Sequence, residues 1–342
     1  MSAYLNTRVS IYSERLWSPE RFDALIHTPD AEMAQALEKQ GLPALAVGYR
    51  SQDSLSLEGR IITQLLEETR VLLRPMEGAA RQFIMFWTER FEVSNVKTLL
   101  RAKMAEERPA AVLSRLVNMG PFARLDLESL VHAEDETELF RRLESSPYAD
   151  IVRHARRAFE ESREPFILEA TLDRAYYEGL AHRAKTLEGK TGREINELMA
   201  TLIDRVNLVW MLRYRFNYRL PAAQVYYLLV GAGYRLPGQV LQQLVTQPSL
   251  EAVLASLPEP LARELEGSEN IVQVHRRMKQ IARDTARRVL ATGRHALSRA
   301  FAYLILREQD LRAVRAVLRG RHLRLPVANI QQAVGIAQTE EL

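Results

Sequence analysis

Residues Asp204 to Ala222 read DRVNLVWMLRYRFNYRLPA, and two related stretches occur elsewhere in the chain. Glu92 to Ala111 read EVSNVKTLLRAKMAEERPAA, and Asp310 to Ala328 read DLRAVRAVLRGRHLRLPVA. In each stretch an acid is followed by an apolar pair and, nine positions after the acid, by an arginine. The three arginines are Arg101, Arg213 and Arg319. Such an internal period predicts a repeat architecture, which decides the fold before any single motif does.

A second element recurs with the same period of about 110 residues. The three related segments are Leu25-Ile26-His27-Thr28-Pro29-Asp30, Leu130-Val131-His132-Ala133-Glu134-Asp135 and Leu244-Val245-Thr246-Gln247-Pro248-Ser249. The order of short helices, longer helices and an acid-to-Arg helix is therefore expected three times. We predict three similar helical units, with residues 1–123, 124–235 and 236–342.

The spacing of apolar residues predicts an all-α protein. Between Leu55 and Leu73, apolar residues recur at helical spacing, and no alternating apolar and polar run of strand length is convincing. A helix is expected to begin at Ser18-Pro19, because serine caps a helix and proline suits its first turn. We expect a loop from Gly41 to Tyr49.

Composition limits the class of protein. The chain has 342 residues, 47% hydrophobic and 26% charged, and no cysteine. This excludes disulfides and thiol catalysis and is compatible with a reducing compartment. The N-terminus lacks the apolar run of a signal peptide. The longest apolar stretches, such as Val225 to Ala232, are far shorter than the roughly 20 residues that span a bilayer. We expect a soluble protein that can still dock beside a membrane.

The charge is moderately basic. The net charge is +4, and most of the surplus is arginine between Arg276 and Arg324. This pattern is compatible with acidic partners, and equally with a solvated helix face that carries scattered ion pairs.

Signals for catalysis or cofactor binding are missing from the sequence. The seven histidines are dispersed, with no pair four residues apart and no HExxH, so no metal site is expected. Gly189-Lys190-Thr191 lacks the earlier glycine of a phosphate loop, since Ala184 stands there, and a helix instead of a strand precedes it. We therefore expect no catalytic residue, no cofactor and no metal.

Two sets of residues within the repeated stretches are candidate sites. Asn95 and Asn207 lie three positions after their acids, where the third copy has Ala313. Since a buried amide costs stability unless it is bonded, each either ties neighbouring helices or makes a polar contact shared by the units. Arg101, Arg213 and Arg319 come late in their helices. They can complement the helix dipole there, and contact with an acidic partner is a second role.

The chain resembles the C subunit of archaeal and bacterial V/A-type ATPases, which is similar to the d subunit of eukaryotic V-ATPases. The segments that carry the resemblance are Asp204-x-x-Asn207-Leu208-x-x-x-Leu212-Arg213, Tyr4-x-x-x-Arg8, and Tyr303-Leu304-x-Leu306-x-Glu308 leading to Leu318-Arg319-Gly320. It covers nearly the whole chain. Ala313 and the arginine-rich third unit depart from the pattern of the other two units.

The resemblance implies a funnel of three helical domains around a pseudo-threefold axis. The funnel would rest on the membrane's proteolipid ring, at the cytoplasmic face, as a peripheral subunit. Its central cavity would receive the tip of the central-stalk shaft. Members of this family couple shaft rotation to ring rotation and ion transport without catalysis.

Two other classes of protein remain open. One is an arginine-rich helical-repeat protein that binds nucleic acid or another acidic partner, although aromatic residues for base stacking are scarce in the basic third. The other is an all-α enzyme, which would need a convergent polar pocket.

Overall fold

The computed structural model describes residues 2–51, 54–187 and 189–336. Within these ranges the regular elements are all helical and no strand occurs, which confirms the all-α prediction. None of the helices described is both long enough and apolar enough to cross a bilayer.

The helices follow a recurring order of lengths. The first group is α1 (Ser2–Ser13), α2 (Pro19–His27), α3 (Asp30–Lys39), α4 (Pro43–Ser51), α5 (Ser54–Leu73), α6 (Gly78–Met104) and α7 (Pro109–Leu113). The second is α8 (Leu127–Val131), α9 (Glu136–Glu144), α10 (Ala149–Ser162), α11 (Pro165–Lys185), α12 (Gly189–Leu212) and α13 (Ala222–Leu228). The third is α14 (Gly238–Leu244), α15 (Leu250–Ala255), α16 (Leu261–Leu265), α17 (Ile271–Thr292), α18 (Ala296–His322) and α19 (Val327–Val334). After α1, three shorter helices, two long helices and one short helix follow in each group.

Local signals explain where two of the early helices begin. Ser18 caps α2 and accepts a hydrogen bond from the backbone N–H of Arg21, as expected from the sequence. The prediction of a loop from Gly41 to Tyr49 is wrong, because α4 occupies most of that segment. Gly41 takes a left-handed conformation after α3, and Pro43 then starts α4. The helix buries Leu45 and Ala46 between α3 and α5.

The six long helices form a closed circuit of contacts. The circuit runs α5, α6, α11, α12, α17, α18 and back to α5, and α12 also touches α18. Its largest hydrophobic cluster includes Trp87 and Phe83 of α6 and Phe301 of α18. The Phe83 and Phe301 rings lie edge to face with centroids 4.9 Å apart, an arrangement favoured between aromatic rings. The cluster is continuous across residue 123, so helices from different parts of the chain share one core.

Candidate partner-binding site

Each acid of the repeated stretch is buried and accepts at least one backbone hydrogen bond from a segment that precedes a short helix of another group. Glu92 Oε1 accepts from the N–H groups of Arg124 and Leu125, at 2.8 and 2.9 Å, ahead of α8. Asp204 accepts from the N–H groups of residues 234–236, at 3.1 to 3.2 Å, ahead of α14. We call each carboxylate with its backbone donors an acid joint. These two joints fix the long helices α6 and α12 to the helices that follow them.

The third acid joint returns to the start of the chain. Asp310 Oδ2 accepts from the backbone N–H of Trp17 at 2.8 Å, ahead of α2, and Asp310 Oδ1 accepts from Arg283 at 2.9 Å. Because Trp17 and Asp310 are 293 positions apart, this bond joins the last group of helices to the first. The three joints therefore connect the groups in a cycle.

Burial destabilises the ionised carboxylates of the second and third acid joints. Burial raises the pKa of Asp204, and the backbone N–H donors only partly oppose that rise. Burial likewise raises the pKa of Asp310, opposed first by Arg283. Donors are therefore essential here, because a buried carboxylate without them would be strongly disfavoured.

Asn95 and Asn207 make the same pair of bonds to a loop residue. Asn95 donates from Nδ2 to the carbonyl of Val117 and accepts from its N–H, both at 2.8 Å. Asn207 does the same with Val230, at 3.0 and 2.8 Å. Both side chains are buried, and each satisfies both backbone groups of one residue. Each amide therefore links a long helix to the segment after the next short helix.

Three basic residues that the sequence analysis did not single out also link the repeated stretches to short helices of another group. Lys103, Arg215 and Arg321 each lie two positions after the arginine of their stretch. Each donates to a backbone carbonyl within two residues of the end of α8, α14 or α2. A basic residue at the same position in all three copies was the signal that could have identified them.

The three candidate arginines are all exposed. Arg101 lies in the last turn of α6, with its side chain 57% exposed, and pairs with Glu169 of α11 at 3.2 Å. Arg319 lies in the last turn of α18, and Arg213 begins a π-helical turn, Arg213–Asn217, that extends α12. The side chains of Arg213 and Arg319 have no hydrogen bond or ion pair within the described residues.

The three stretches fall one residue out of register after their arginines, because Pro109 and Pro221 come eight positions after theirs and Pro326 comes seven. The π-helical turn explains part of this slip. Each stretch ends in a left-handed residue, which is Glu106, Arg219 or Arg324. Arg219 comes six positions after its arginine, whereas the other two come five positions after theirs. The π turn takes up this additional residue, because its hydrogen bonds span five residues instead of four. The first copy instead has one more residue between Glu106 and Pro109 than the third has before Pro326.

A basic groove of about 430 Å³ lies between α2, α17, α18 and α19. Its cationic lining consists of Arg276, Lys279, Arg283, Arg287, Arg312 and Arg315. Arg283 pairs with Asp310, Arg312 pairs with Glu308 at 2.8 Å, and Arg315 contacts Glu58. The other three cations have no ion pair among the residues described. The groove therefore concentrates the arginine surplus of the last third on one surface.

A smaller central cavity of about 180 Å³ lies within the circuit of long helices. Its basic and acidic side chains are Arg90 of α6, Arg205 of α12, His275 and Lys279 of α17, and Glu308 and Arg312 of α18, and Tyr176 and Tyr177 of α11 also line it. Arg90 donates to Glu308 at 2.6 Å and stacks over Trp87, with its guanidinium carbon 3.6 Å from the ring. The cavity and the basic groove share Lys279, Gln309 and Arg312, so the two spaces adjoin.

The electrostatics of the central cavity reflect a shortage of negative charge. Burial, and then the neighbouring Arg205, lower the pKa of His275 to about 4. Burial and the same arginine also lower the pKa of Lys279. Burial alone would raise the pKa of Glu308, but Arg90 and Arg312 outweigh it and the pKa is lowered. The cavity thus stabilises negative charge and disfavours positive charge.

The part of the chain that the structure describes contains no group of three or more His, Asp or Glu residues placed to hold a metal ion. The residues that the structure brings together are basic and aromatic, an arrangement suited to contacting an acidic ligand or partner.

Comparison with known proteins matches most of the chain to one family. The family model described as ATP synthase (C/AC39) subunit matches residues 5–333. The chain is similar to proteins named as the C subunit of A-type ATP synthase. That of Methanocaldococcus jannaschii is 21% identical, with 93% of this chain and 82% of that protein covered. That of Haloquadratum walsbyi is 23% identical, with 96% of this chain and 96% of that protein covered. That of Methanosphaera stadtmanae is 23% identical, with 66% of this chain and 60% of that protein covered.

Proposed function

This chain belongs to the ATP synthase (C/AC39) subunit family, and from that premise we propose that it is a non-catalytic subunit of a rotary V/A-type ATPase. It links the central-stalk shaft to the proteolipid ring and couples ATP hydrolysis or synthesis to ion transport. It does so as a peripheral subunit at the cytoplasmic face of the membrane. The match over residues 5–333 carries the proposal, and the relatives named as the C subunit of A-type ATP synthase support it.

We propose that three similar helical units, with residues 1–123, 124–235 and 236–342, surround a pseudo-threefold axis in a funnel. The cyclic order of the acid joints supports this arrangement, because the joint at Glu92 leads to α8, that at Asp204 to α14 and that at Asp310 back to α2. A linear stack of repeats would leave its last unit without a partner in the first.

The basic groove is the proposed contact for the shaft. One turn of an α-helix, roughly 10 Å wide and 5.4 Å long, occupies about 400 Å³. The groove, at about 430 Å³, is large enough for such a turn, and the central cavity, at about 180 Å³, is too small for it. A helical shaft tip would therefore engage the groove and the adjoining rim, with its acidic residues facing the groove's cations.

Arg101, Arg213 and Arg319 are proposed as further partner contacts. Arg213 and Arg319 favour this role, because each exposes a charge that no described residue neutralises. Exposed charges of this kind accelerate association with an oppositely charged partner more than they raise final affinity.

Coupling requires that the protein hold both partners without deforming. Packed helices suit this requirement, because close-packed cores resist compression and transmit strain. The closed circuit of six long helices supports the proposal, since a load applied to one helix is passed to neighbours on both sides.

The proposal is tested by charge reversal. Arg213→Glu, Arg319→Glu and the double variant Arg276→Glu/Arg287→Glu would be compared with a control, Arg263→Glu, whose side chain is 79% exposed in α16. Helical content by circular dichroism would first verify that each variant is folded. We expect slower binding of purified shaft subunits at low salt, a smaller difference at high salt, and a lower ratio of ions pumped to ATP hydrolysed in the reconstituted complex.

Three outcomes would contradict parts of the proposal. If the wild-type chain binds neither the shaft nor the proteolipid ring, the assignment to the central stalk is wrong. If it binds nucleic acid more tightly than the shaft, with a steep loss of affinity as salt rises, a nucleic-acid-binding repeat protein is favoured. If the wild-type chain binds the shaft and the charge-reversal variants bind and couple equally well, Arg213 and Arg319 have only the structural role.

A further inference from the structure

The central cavity contains more positive charge than its own residues neutralise. Glu308 is its only carboxylate among the lining residues, and it already pairs with Arg90 and Arg312. Arg205 and Lys279 also line the cavity and form no hydrogen bond or ion pair with any described residue. Both side chains are half-buried, and a cation held away from bulk water without an acidic partner is disfavoured.

A third cation, Arg90 of α6, also lines the cavity. Arg90 donates to Glu308 through Nη2, and its Nε is buried where neither solvent nor a ligand in the cavity reaches it. Cations from α6, α12 and α17 therefore line the cavity, and those of α12 and α17, Arg205 and Lys279, are the ones without a partner among the described residues.

The size of the cavity limits what could neutralise these cations. Binding pockets for nucleotides and other molecules of that size measure about 300 to 1,000 Å³. At about 180 Å³, the central cavity has room for roughly six water molecules, each taking about 30 Å³. A small ion with several acceptor oxygens fits this volume and can accept hydrogen bonds from both Arg205 and Lys279.

We propose that the central cavity is a binding site for a small oxyanion of the phosphate class, held by Arg205 and Lys279. The bound ion bridges α12 and α17, two members of the circuit of long helices. The cavity shares Lys279 and Arg312 with the groove proposed to contact the shaft, but Arg205 lines the cavity alone, and binding of the ion needs no partner subunit.

The probe is inorganic phosphate added to the purified full-length chain, with chloride at equal ionic strength as the reference. A ligand that binds only the folded state raises the melting temperature, and above its Kd the stabilisation grows with the logarithm of the ligand concentration. We expect such a rise with phosphate, and a matching saturable heat in calorimetry.

The diagnostic variant is Arg205→Gln, because Arg205 lines the central cavity and not the basic groove. It should bind phosphate at least about tenfold more weakly, since a charge-assisted hydrogen bond contributes on the order of a factor of ten or more. In chloride alone it should melt at the same temperature as the wild type or higher, because a buried charge without a partner has been removed. Loss of a merely structural arginine would lower that temperature.

Two matched variants locate the site. Arg193→Gln, on an exposed position of the same helix, should keep the phosphate response of the wild type. The groove variant Arg276→Gln/Arg287→Gln should also keep it. The proposal fails if phosphate gives no more stabilisation than chloride, if Arg205→Gln keeps the full response, or if only the groove variant loses it.

Discussion

Replacing Asn207 with alanine should destabilise the fold strongly, because the amide is the hydrogen-bond partner of both backbone groups of Val230. Asn207 and Val230 are both fully buried, so water cannot replace the missing partner. Leaving a buried donor or acceptor unsatisfied costs about 1 to 3 kcal/mol each. With two such groups, we expect Asn207→Ala to lower the free energy of unfolding by roughly 2 to 6 kcal/mol.

Denaturant unfolding would measure the loss, and hydrogen exchange would locate it. The control is Asn196→Ala on the same helix, since Asn196 only accepts a long bond of 3.4 Å from Tyr234. The control should lose less than about 1 kcal/mol. In Asn207→Ala, the amide of Val230 should exchange much faster than in the wild type. A loss as small as the control's, with Val230 still protected, would refute the structural role and favour the shared polar contact.

Two further predictions concern buried charge. Between the lowered pKa of His275, about 4, and its ordinary value of 6.5, the unfolded chain binds a proton that the folded chain does not, so stability rises with pH across this window. His275→Gln should remove that rise in the free energy of unfolding, which is at most about 3 kcal/mol for this shift and less after solvent screening of the half-buried ring; an unchanged pH dependence of unfolding would contradict the assignment. Glu68 accepts from Arg307 at 3.0 to 3.2 Å, and Arg307 is completely buried. Glu68→Ala should therefore lower the free energy of unfolding, measured with denaturant, by about 3 to 5 kcal/mol. Adding Arg307→Met to that variant should recover part of the loss, because the unpaired buried charge is removed. If the two substitutions instead lower the free energy of unfolding additively, the two residues do not act as a pair.

The sequence predicted helices because apolar residues recur at helical spacing in α5, α12 and α17, whereas α6 and α18 bury residues on most of their sides. It also identified the acids and amides of the repeated stretches as special. It could not identify their partners, because Glu92 and Asp204 bond to backbone N–H groups, which every residue except proline has. The helix α4 was missed because Gly41 and Gly48 suggest a loop, whereas its apolar residues fill a gap between neighbours.

The residues of the central cavity could not be predicted from the sequence, for a different reason. Arg90, Arg205 and Lys279 come from three distant parts of the chain and occupy no common position in the repeated stretches. Only the packing of the long helices brings them together. Lys103, Arg215 and Arg321, by contrast, could have been found by extending the alignment of the three stretches by two residues.

The bond from Trp17 to Asp310 has a consequence for how the molecule responds to twisting. A thin-walled tube is stiff in torsion as long as its wall is continuous, but the same tube slit along its length twists easily, because the two edges slide past each other. The helices α5, α6, α11, α12, α17 and α18 form a closed circuit of contacts. The bond at Asp310 adds a second link between the last helices and the first, because it ties α18 to the segment before α2. We expect that removing this link makes the circuit easier to twist, even while each neighbouring pair of long helices stays packed.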